Sequence, residues 1–186
     1  MYELRRHLAA LACLFLAAVL CACAGPWHRV PVHMGDAHWQ MAPPPGWMHL
    51  ETASGDMFSM DGPYLSYILV QHRPLDAPFR YTRRTLTAGM LPHEAAGLIA
   101  DTLSLDPHLH DFELQASEPA TIGGHPGFSL TYQYHDAHGV LVKTVYYGLI
   151  QPDGFFNLRY TAARRYYFDK DRAAFENLLS SVRIME

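Results

Sequence analysis

Three short turn signals divide the second half of the chain and limit what it can fold into. Gly123-Gly124, Asp136–Gly139 and Pro152–Gly154 separate segments rich in aromatic and β-branched residues, and those residue types favour strands. The segments are 112–122, 125–135, 140–151 and 155–163. Connections this short allow only antiparallel pairing, because parallel strands need a crossover of roughly a dozen residues. The pattern therefore predicts an antiparallel meander.

The meander strands differ in how many of their faces are apolar. In the segment 125–135, large apolar side chains alternate with polar ones, which predicts one buried and one wetter face. The apolar ones are Phe128, Leu130, Tyr132 and Tyr134. The segment 140–151 is apolar on both sides. It is therefore predicted to be a central strand with a layer above and a layer below.

The first half of the domain is predicted to add shorter strands. Segments 39–41 and 47–51 are extended on either side of the proline-rich turn 43–46. Segment 57–60 is predicted to form a hairpin with 64–72, because Asp61-Gly62-Pro63 between them is typical of a turn.

Two helices complete the prediction. The first begins at Pro92 with Glu94 close behind, where a proline lacks only a donor that would be free anyway. Its shared face is Leu98, Ile99, Thr102 and Leu105. The closing helix is predicted to have Asp169 as its N-cap. Its apolar stripe is Phe175, Leu178, Leu179 and Val182. Together these elements predict a single α+β domain, a twisted antiparallel sheet of about six strands with helices packed on it.

The first 22 residues are predicted to be an export signal. Arg5 and Arg6 precede an apolar run over 8–20. That run has 13 residues, whereas spanning a bilayer takes about 20. All three cysteines of the chain, Cys13, Cys21 and Cys23, lie in this region. The rest of the chain therefore cannot form an intramolecular disulfide.

The end of the signal resembles the bacterial lipoprotein signal. Leu20 and Ala22 occupy the aliphatic and small positions before Cys23, which predicts that Cys23 is the acylated N-terminus of the mature protein. Several acyl chains hold a protein on a membrane almost permanently. Under the family rule for the residue after the cysteine, Ala24 implies the outer membrane, facing the periplasm. The alternative is an ordinary signal peptide cut after Ala22 or Ala24.

Removal of the signal leaves 164 of the 186 residues, enough for one domain and a short tether. The segment 23–37 is predicted to be the lipidated cysteine and a flexible tether, and 38–186 the domain. The whole chain has a net charge of −4, and loss of two arginines and one glutamate leaves −5. A mildly acidic surface argues against nucleic acid as a partner.

The order of elements resembles the PsbP-like fold, which includes the bacterial DcrB-like lipoproteins. The segments that carry the resemblance are Pro45-Gly46-Trp47, the turn Ile122–Gly127 and the helix Phe168–Val182. The resemblance covers roughly 38–186. It implies a non-enzymatic binding or assembly module, and it transfers no catalytic residue onto this chain.

The sequence contains no motif for catalysis or a cofactor. There is no G-x-S-x-G elbow. His93-Glu94 begins like the zinc-protease motif H-E-x-x-H, but Gly97 replaces the second histidine. The Gly-rich turn at 123–127 leads into a strand and lacks the helix N-terminus that holds phosphate. We therefore expect no enzymatic activity and no cofactor.

Histidine is the unusual residue type, with twelve in the chain. His108 and His110 would point the same way if extended, since strand side chains repeat every second residue. They are candidate ligands for zinc or copper, and His135 and His138 flank a nearby turn. The other interpretation is that these are solvated loop histidines.

Two functions follow as expectations. The first is an envelope lipoprotein held on the membrane by its N-terminal lipid, which binds or stabilises another envelope protein. The alternative is a periplasmic protein that binds a small ligand or a transition metal through its surface histidines.

Aromatic residues are also concentrated near the C-terminus, where Tyr166, Tyr167 and Phe168 cannot all face inward.

Overall fold

A computed structural model describes residues 26–36 and 38–185. These residues form eleven strands and two helices. The strands are β1 His28–Arg29, β2 Met34–Gly35, β3 Trp39–Met41, β4 Met48–Thr52, β5 Gly55–Ser59, β6 Ser66–Arg73, β7 His110–Ile122, β8 His125–His135, β9 Leu141–Gln151, β10 Gly154–Ala163 and β11 Arg183–Ile184. The helices are α1 Pro92–Ser104 and α2 Tyr167–Ser181. The predicted signal peptide and Cys23 lie outside the described residues.

The main sheet is antiparallel and has eight strands in the order β1-β4-β5-β6-β10-β9-β8-β7. The prediction of about six strands was too low. The sheet continues past β5 through the five-residue β4 and the two-residue β1. A two-residue strand is too short for a period-two pattern, so the sequence gives no sign of it. A second sheet is small and has the order β11-β3-β2.

Part of the segment assigned to the tether pairs with the domain. β1 pairs with β4, and β2 pairs with β3. The folded part therefore begins before His38, the boundary expected from the sequence.

Two apolar cores lie on the two faces of the main sheet. On the first face, α2 and the small sheet cover alternate residues of β10, including Leu158 and Tyr160. On the second face, α1 and the segment before it cover Phe155 together with aromatic residues of β8 and β9. This gives a three-layer arrangement with the sheet in the middle.

The predicted strand faces are confirmed where the pattern was longest. In β8, Phe128, Leu130 and Tyr132 are buried, and the polar residues between them are part-exposed. β9 lies between β10 and β8, as its apolar sides predicted. Gly123 and Gly124 have φ angles of 57° and 90°, the left-handed conformation that a two-residue hairpin turn requires.

Both helices are present, but two details differ from prediction. Leu105 was placed on the apolar face of α1, yet the helix ends at Ser104 and Leu105 is 58% exposed. Asp169 was predicted as the N-cap of α2, but the helix already begins at Tyr167. Asp169 lies in the first turn, where a carboxylate interacts favourably with the helix dipole. Tyr166 is 62% exposed and Phe168 is buried, as the run of three aromatics predicted.

Neither helix in the described part of the chain has the length and apolar character needed to span a membrane.

A buried hydrogen bond joins α2 to the main sheet. Ser66 Oγ on β6 donates to Asp171 Oδ2 on α2 over 2.8 Å, and both residues are buried. We expect Ser66→Ala to lower the free energy of unfolding by about 1–3 kcal/mol, because it leaves a buried carboxylate short of a donor. Urea denaturation measures the effect. Ser180→Ala is the control, since Ser180 is exposed on the same helix. A Ser66→Ala variant no less stable than this control would contradict the importance of the contact.

Candidate functional site

A cavity lies at one end of the main sheet, where three connections meet. It has a volume of about 680 Å³. We call it the histidine cleft. It is lined by His38, His125, Leu149, Ile150, Gln151, Pro152, Asp153, Ile184 and Met185. The residues come from the position before β3, the start of β8, the end of β9 with the turn that follows it, and β11 with the residue after it.

Two close contacts bring these segments together. The turn between β7 and β8 lies against β11, and a Cβ atom on Gly123 would be 2.9 Å from Ile184 Cγ1. Only glycine permits that approach with a φ of 57°. At the other side, the Met185 backbone N–H donates to the His38 carbonyl over 2.8 Å. The cleft is therefore held by backbone packing as well as by side chains.

Two histidines lie beside one carboxylate at the edge of the cleft. His38 Nδ1 contacts Asp153 Oδ2, and His72 Nε2 lies 3.9 Å from Asp153 Oδ1. The two imidazole rings stack with centroids 5.0 Å apart and planes 7° apart. The sequence analysis did not find this group, because its members are at positions 38, 72 and 153 and no local spacing links them.

Two buried polar atoms near the cleft lack a partner within the described structure. These are Gln151 Oε1 and His72 Nε2. Buried polar atoms are nearly always hydrogen-bonded, so these two are exceptions within the described structure. The rest of the lining is mostly apolar and includes Leu149, Ile150, Pro152, Ile184 and Met185. A ligand with an apolar body would fit this lining.

The stacked histidines are not arranged as a metal site. A metal ion bound to an imidazole lies in the ring plane about 2.0–2.1 Å from the nitrogen. Parallel rings 5.0 Å apart cannot both direct a nitrogen at such an ion. No group of three histidine, cysteine, aspartate or glutamate side chains in the described ranges is placed to hold a metal.

The candidate ligands His108 and His110 do not lie on one extended segment. His108 is in a turn closed by the hydrogen bond from Leu109 N to Asp106 O, and His110 begins β7. Period-two alternation therefore does not apply to the pair. Both are exposed, and His110 lies opposite His135 in the strand register. His135 Nδ1 is 3.2 Å from Asp111 Oδ2, which makes a surface pair at that place.

Comparisons with solved structures show which fold this is. One solved structure with a similar fold is the cyanobacterial PsbP protein CyanoP from Synechocystis sp. PCC 6803, with a TM-score of 0.57 and 14% identity. The alignment covers 87% of this chain and 96% of that one. The fold is the PsbP-like fold. The identity is low enough that the likeness concerns the fold alone.

Two other structural neighbours have different roles. LpqN, described as involved in cell envelope biogenesis of Mycobacterium tuberculosis, matches with a TM-score of 0.59 and 18% identity over 87% of this chain and 93% of its own. The Ran-binding protein Mog1p from Saccharomyces cerevisiae matches with a TM-score of 0.52 and 10% identity over 86% and 95%. No protein-family model and no curated protein matches the sequence.

Gly154 is predicted to position His72. A Cβ atom there would collide with His72 Nε2 and lie 2.9 Å from the Arg73 carbonyl oxygen. We expect Gly154→Ala to displace the His72 ring and to destabilise the protein by about 1–3 kcal/mol, as overpacking does. NMR of the imidazole resonances and urea denaturation measure the two effects.

Gly97→Ala is the matched control for this variant. Gly97 lies in α1 with nothing within 4 Å of the added atom, so helix propensity should make that variant about 1 kcal/mol more stable. Unchanged His38 and His72 resonances in Gly154→Ala would contradict the proposed packing.

The exposed histidines give a separate prediction for metals. We expect His108→Ala/His110→Ala to bind zinc no more weakly than the wild type, because neither side chain belongs to a set of three described ligands. Zinc titration by calorimetry measures this, with His38→Ala/His72→Ala as the comparison. Loss of a micromolar site in the first double variant alone would restore the metal hypothesis for that pair.

Proposed function

We propose that this protein is a lipid-anchored module of the bacterial cell envelope that binds another envelope component in the histidine cleft without catalysing a reaction. The observation that carries the proposal is the cleft itself, a cavity of about 680 Å³ with a mostly apolar lining. Its described lining has no serine, cysteine or lysine that could serve as a nucleophile. The envelope setting is supported by the fold shared with LpqN.

The path of the chain supports a membrane-proximal cleft. β1 runs antiparallel to β4 with His28 opposite His49, so the residues before His28 approach from the Thr52 end of β4. The strand registers from β4 through β5 and β6 place that end beside the start of β10. The turn with Asp153 is at the same end. A lipid on Cys23, five residues before His28, would hold the cleft on the membrane side of the domain within about 20 Å of chain.

The anchor is tested by fractionation of cells that express the full chain. We expect Cys23→Ser to move the protein from the membrane fraction to the soluble periplasmic fraction, because the acyl chains supply the membrane affinity. Cys21→Ser is the matched control and should leave the protein on the membrane. If Cys23→Ser stays in the membrane fraction as well, the lipid anchor is wrong.

The binding site is tested by photo-cross-linking in cells with the anchor intact. A photoreactive residue at Met185, which is 43% exposed at the cleft, should capture an envelope partner identified by mass spectrometry of the membrane fraction. The control position is Asp101, exposed on α1 away from the cleft. Equal capture from both positions, or background capture from Met185, would contradict a partner in the cleft.

Binding of a small molecule is the second candidate function, and the size and mostly apolar lining of the cleft favour it. Native mass spectrometry of the protein purified from the periplasm distinguishes this case. A bound small molecule that is lost in Gln151→Leu, together with no cross-linked protein, would make the protein a ligand carrier.

A further inference from the structure

Exposed apolar side chains are concentrated at the end of the main sheet opposite the histidine cleft. Three connections come together there, namely the turn between β5 and β6, the turn between β8 and β9, and the connection from β10 to α2. Of the nine large apolar side chains exposed in the described part of the chain, four lie on these connections. They are Met60, Tyr64, Val140 and Tyr166, and Tyr64 is 89% exposed. Single exposed apolar residues are ordinary, whereas a group of them marks a contact surface.

Backbone hydrogen bonds hold the three connections side by side. The Ala163 N–H donates to the Leu65 carbonyl, and the Arg164 N–H donates to the Leu141 carbonyl, both over 2.9 Å. These bonds tie the end of β10 to the turn before β6 and to the start of β9. The exposed apolar side chains therefore belong to one surface whose parts are fixed relative to one another.

The most C-terminal member of the group is held in place although it is exposed. The Tyr166 ring meets the Tyr167 ring edge to face, with centroids 5.1 Å apart and planes at 86°. A ring that is already ordered loses less conformational entropy when a partner covers it. Tyrosine and methionine are also residue types enriched at protein interfaces.

Two arginines beside this group form no ion pair in the described part of the chain. Arg164 and Arg165 are both exposed and belong to none of the ion pairs found there. Two carboxylates of the same connections are engaged by other groups. Asp61 contacts the Lys170 ammonium, and Asp136 Oδ1 accepts two backbone N–H groups of its own turn at 2.8 and 2.9 Å. The guanidinium groups are therefore available to carboxylates from outside.

The charges of this surface favour a protein over a membrane as its partner. Basic segments that bind anionic membranes carry about four to eight lysines or arginines. Here only two arginines stand beside the apolar group, and Asp169 in the first turn of α2 adds a carboxylate that an anionic bilayer would repel. A folded or extended protein segment can place its carboxylates at the arginines alone.

We propose that this surface docks an acidic segment of another protein. We call it the distal surface, and it consists of Met60, Tyr64, Val140, Arg164, Arg165 and Tyr166. Apolar side chains of the segment cover the tyrosine rings, and its carboxylates pair with the guanidinium groups in the bidentate geometry that arginine favours. The distal surface is separate from the histidine cleft and does not depend on the lipid anchor. A protein with both sites would join two components.

Photo-cross-linking of the full chain in cells identifies the partner segment. A photoreactive residue at Tyr64 should capture a protein segment rich in aspartate and glutamate, which is sequenced by mass spectrometry of the cross-linked peptide. The same residue at Asp101, exposed on α1, measures background capture. Background capture from Tyr64, a captured segment without carboxylates, a phospholipid adduct or a second copy of this chain would overturn the proposal.

Calorimetric titration with a synthetic peptide of the captured segment measures the role of charge. Arg164→Glu/Arg165→Glu should weaken binding about tenfold or more, because two attractions become repulsions. The matched control is Arg29→Glu/Arg83→Glu, which changes the net charge equally at exposed positions elsewhere and should bind like the wild type. Equal affinity in the two double variants would overturn the site. Capture from Met185 reports on the cleft alone, so failure of either proposal is recognised separately.

Tyr64→Ala tests the apolar part of the contact with the same peptide. Its affinity should fall about fivefold or more, since an exposed tyrosine supplies contact area without supporting the fold. Leu91→Ala is the control, because Leu91 is exposed at the start of α1. Unchanged affinity in Tyr64→Ala would overturn docking over the tyrosine rings.

Discussion

The alternation of side chains along β10 organises both cores. One set of its residues, including Phe156 and Tyr160, packs under α2, and the other set begins with Phe155 in the core under α1. Because successive side chains point to opposite faces, a shift of one residue would exchange the two sets and put Arg159 under α2. Pairing with β6 and β9 over nearly its whole length fixes this register. The positions of the helices and of the stacked histidines depend on it.

Local signals in the sequence predicted the parts of the fold that local chemistry controls. The Gly-Gly turn requires positive φ, side chains alternate along β8 from Phe128 to Tyr134, and Pro92 opens a helix as its chemistry allows. The predicted roles of Leu105 and Asp169 show where such signals stop being informative. Side-chain periodicity identifies a helix, but it does not fix the residue at which the helix begins or ends. β1 was missed because its two residues are held by β4 and not by any preference of their own.

The two candidate sites could not be predicted, for different reasons. The histidine cleft joins residues from four distant segments, so its geometry exists only after the sheets form. His108 and His110 have the spacing of two side chains on one face of a strand. The hydrogen bond from Leu109 N to Asp106 O places His108 in a turn, so the two side chains do not share a strand face. The distal surface was missed for another reason. Its side chains lie on three separate connections, and only the strand register brings those connections together at one end of the sheet.

The short strands near the N-terminus have a mechanical consequence. β1 and β2 have two residues each and pair only with β4 and β3, so they hold the beginning of the chain by very few hydrogen bonds. A pull on a membrane-attached N-terminus would load these strands first, together with Val30 and Met34, which pack against the core under α2. About ten residues would be released, and fully extended they would span about 35 Å. The domain would then have a longer tether and could follow a partner away from the bilayer while the other seven strands of the main sheet stay paired.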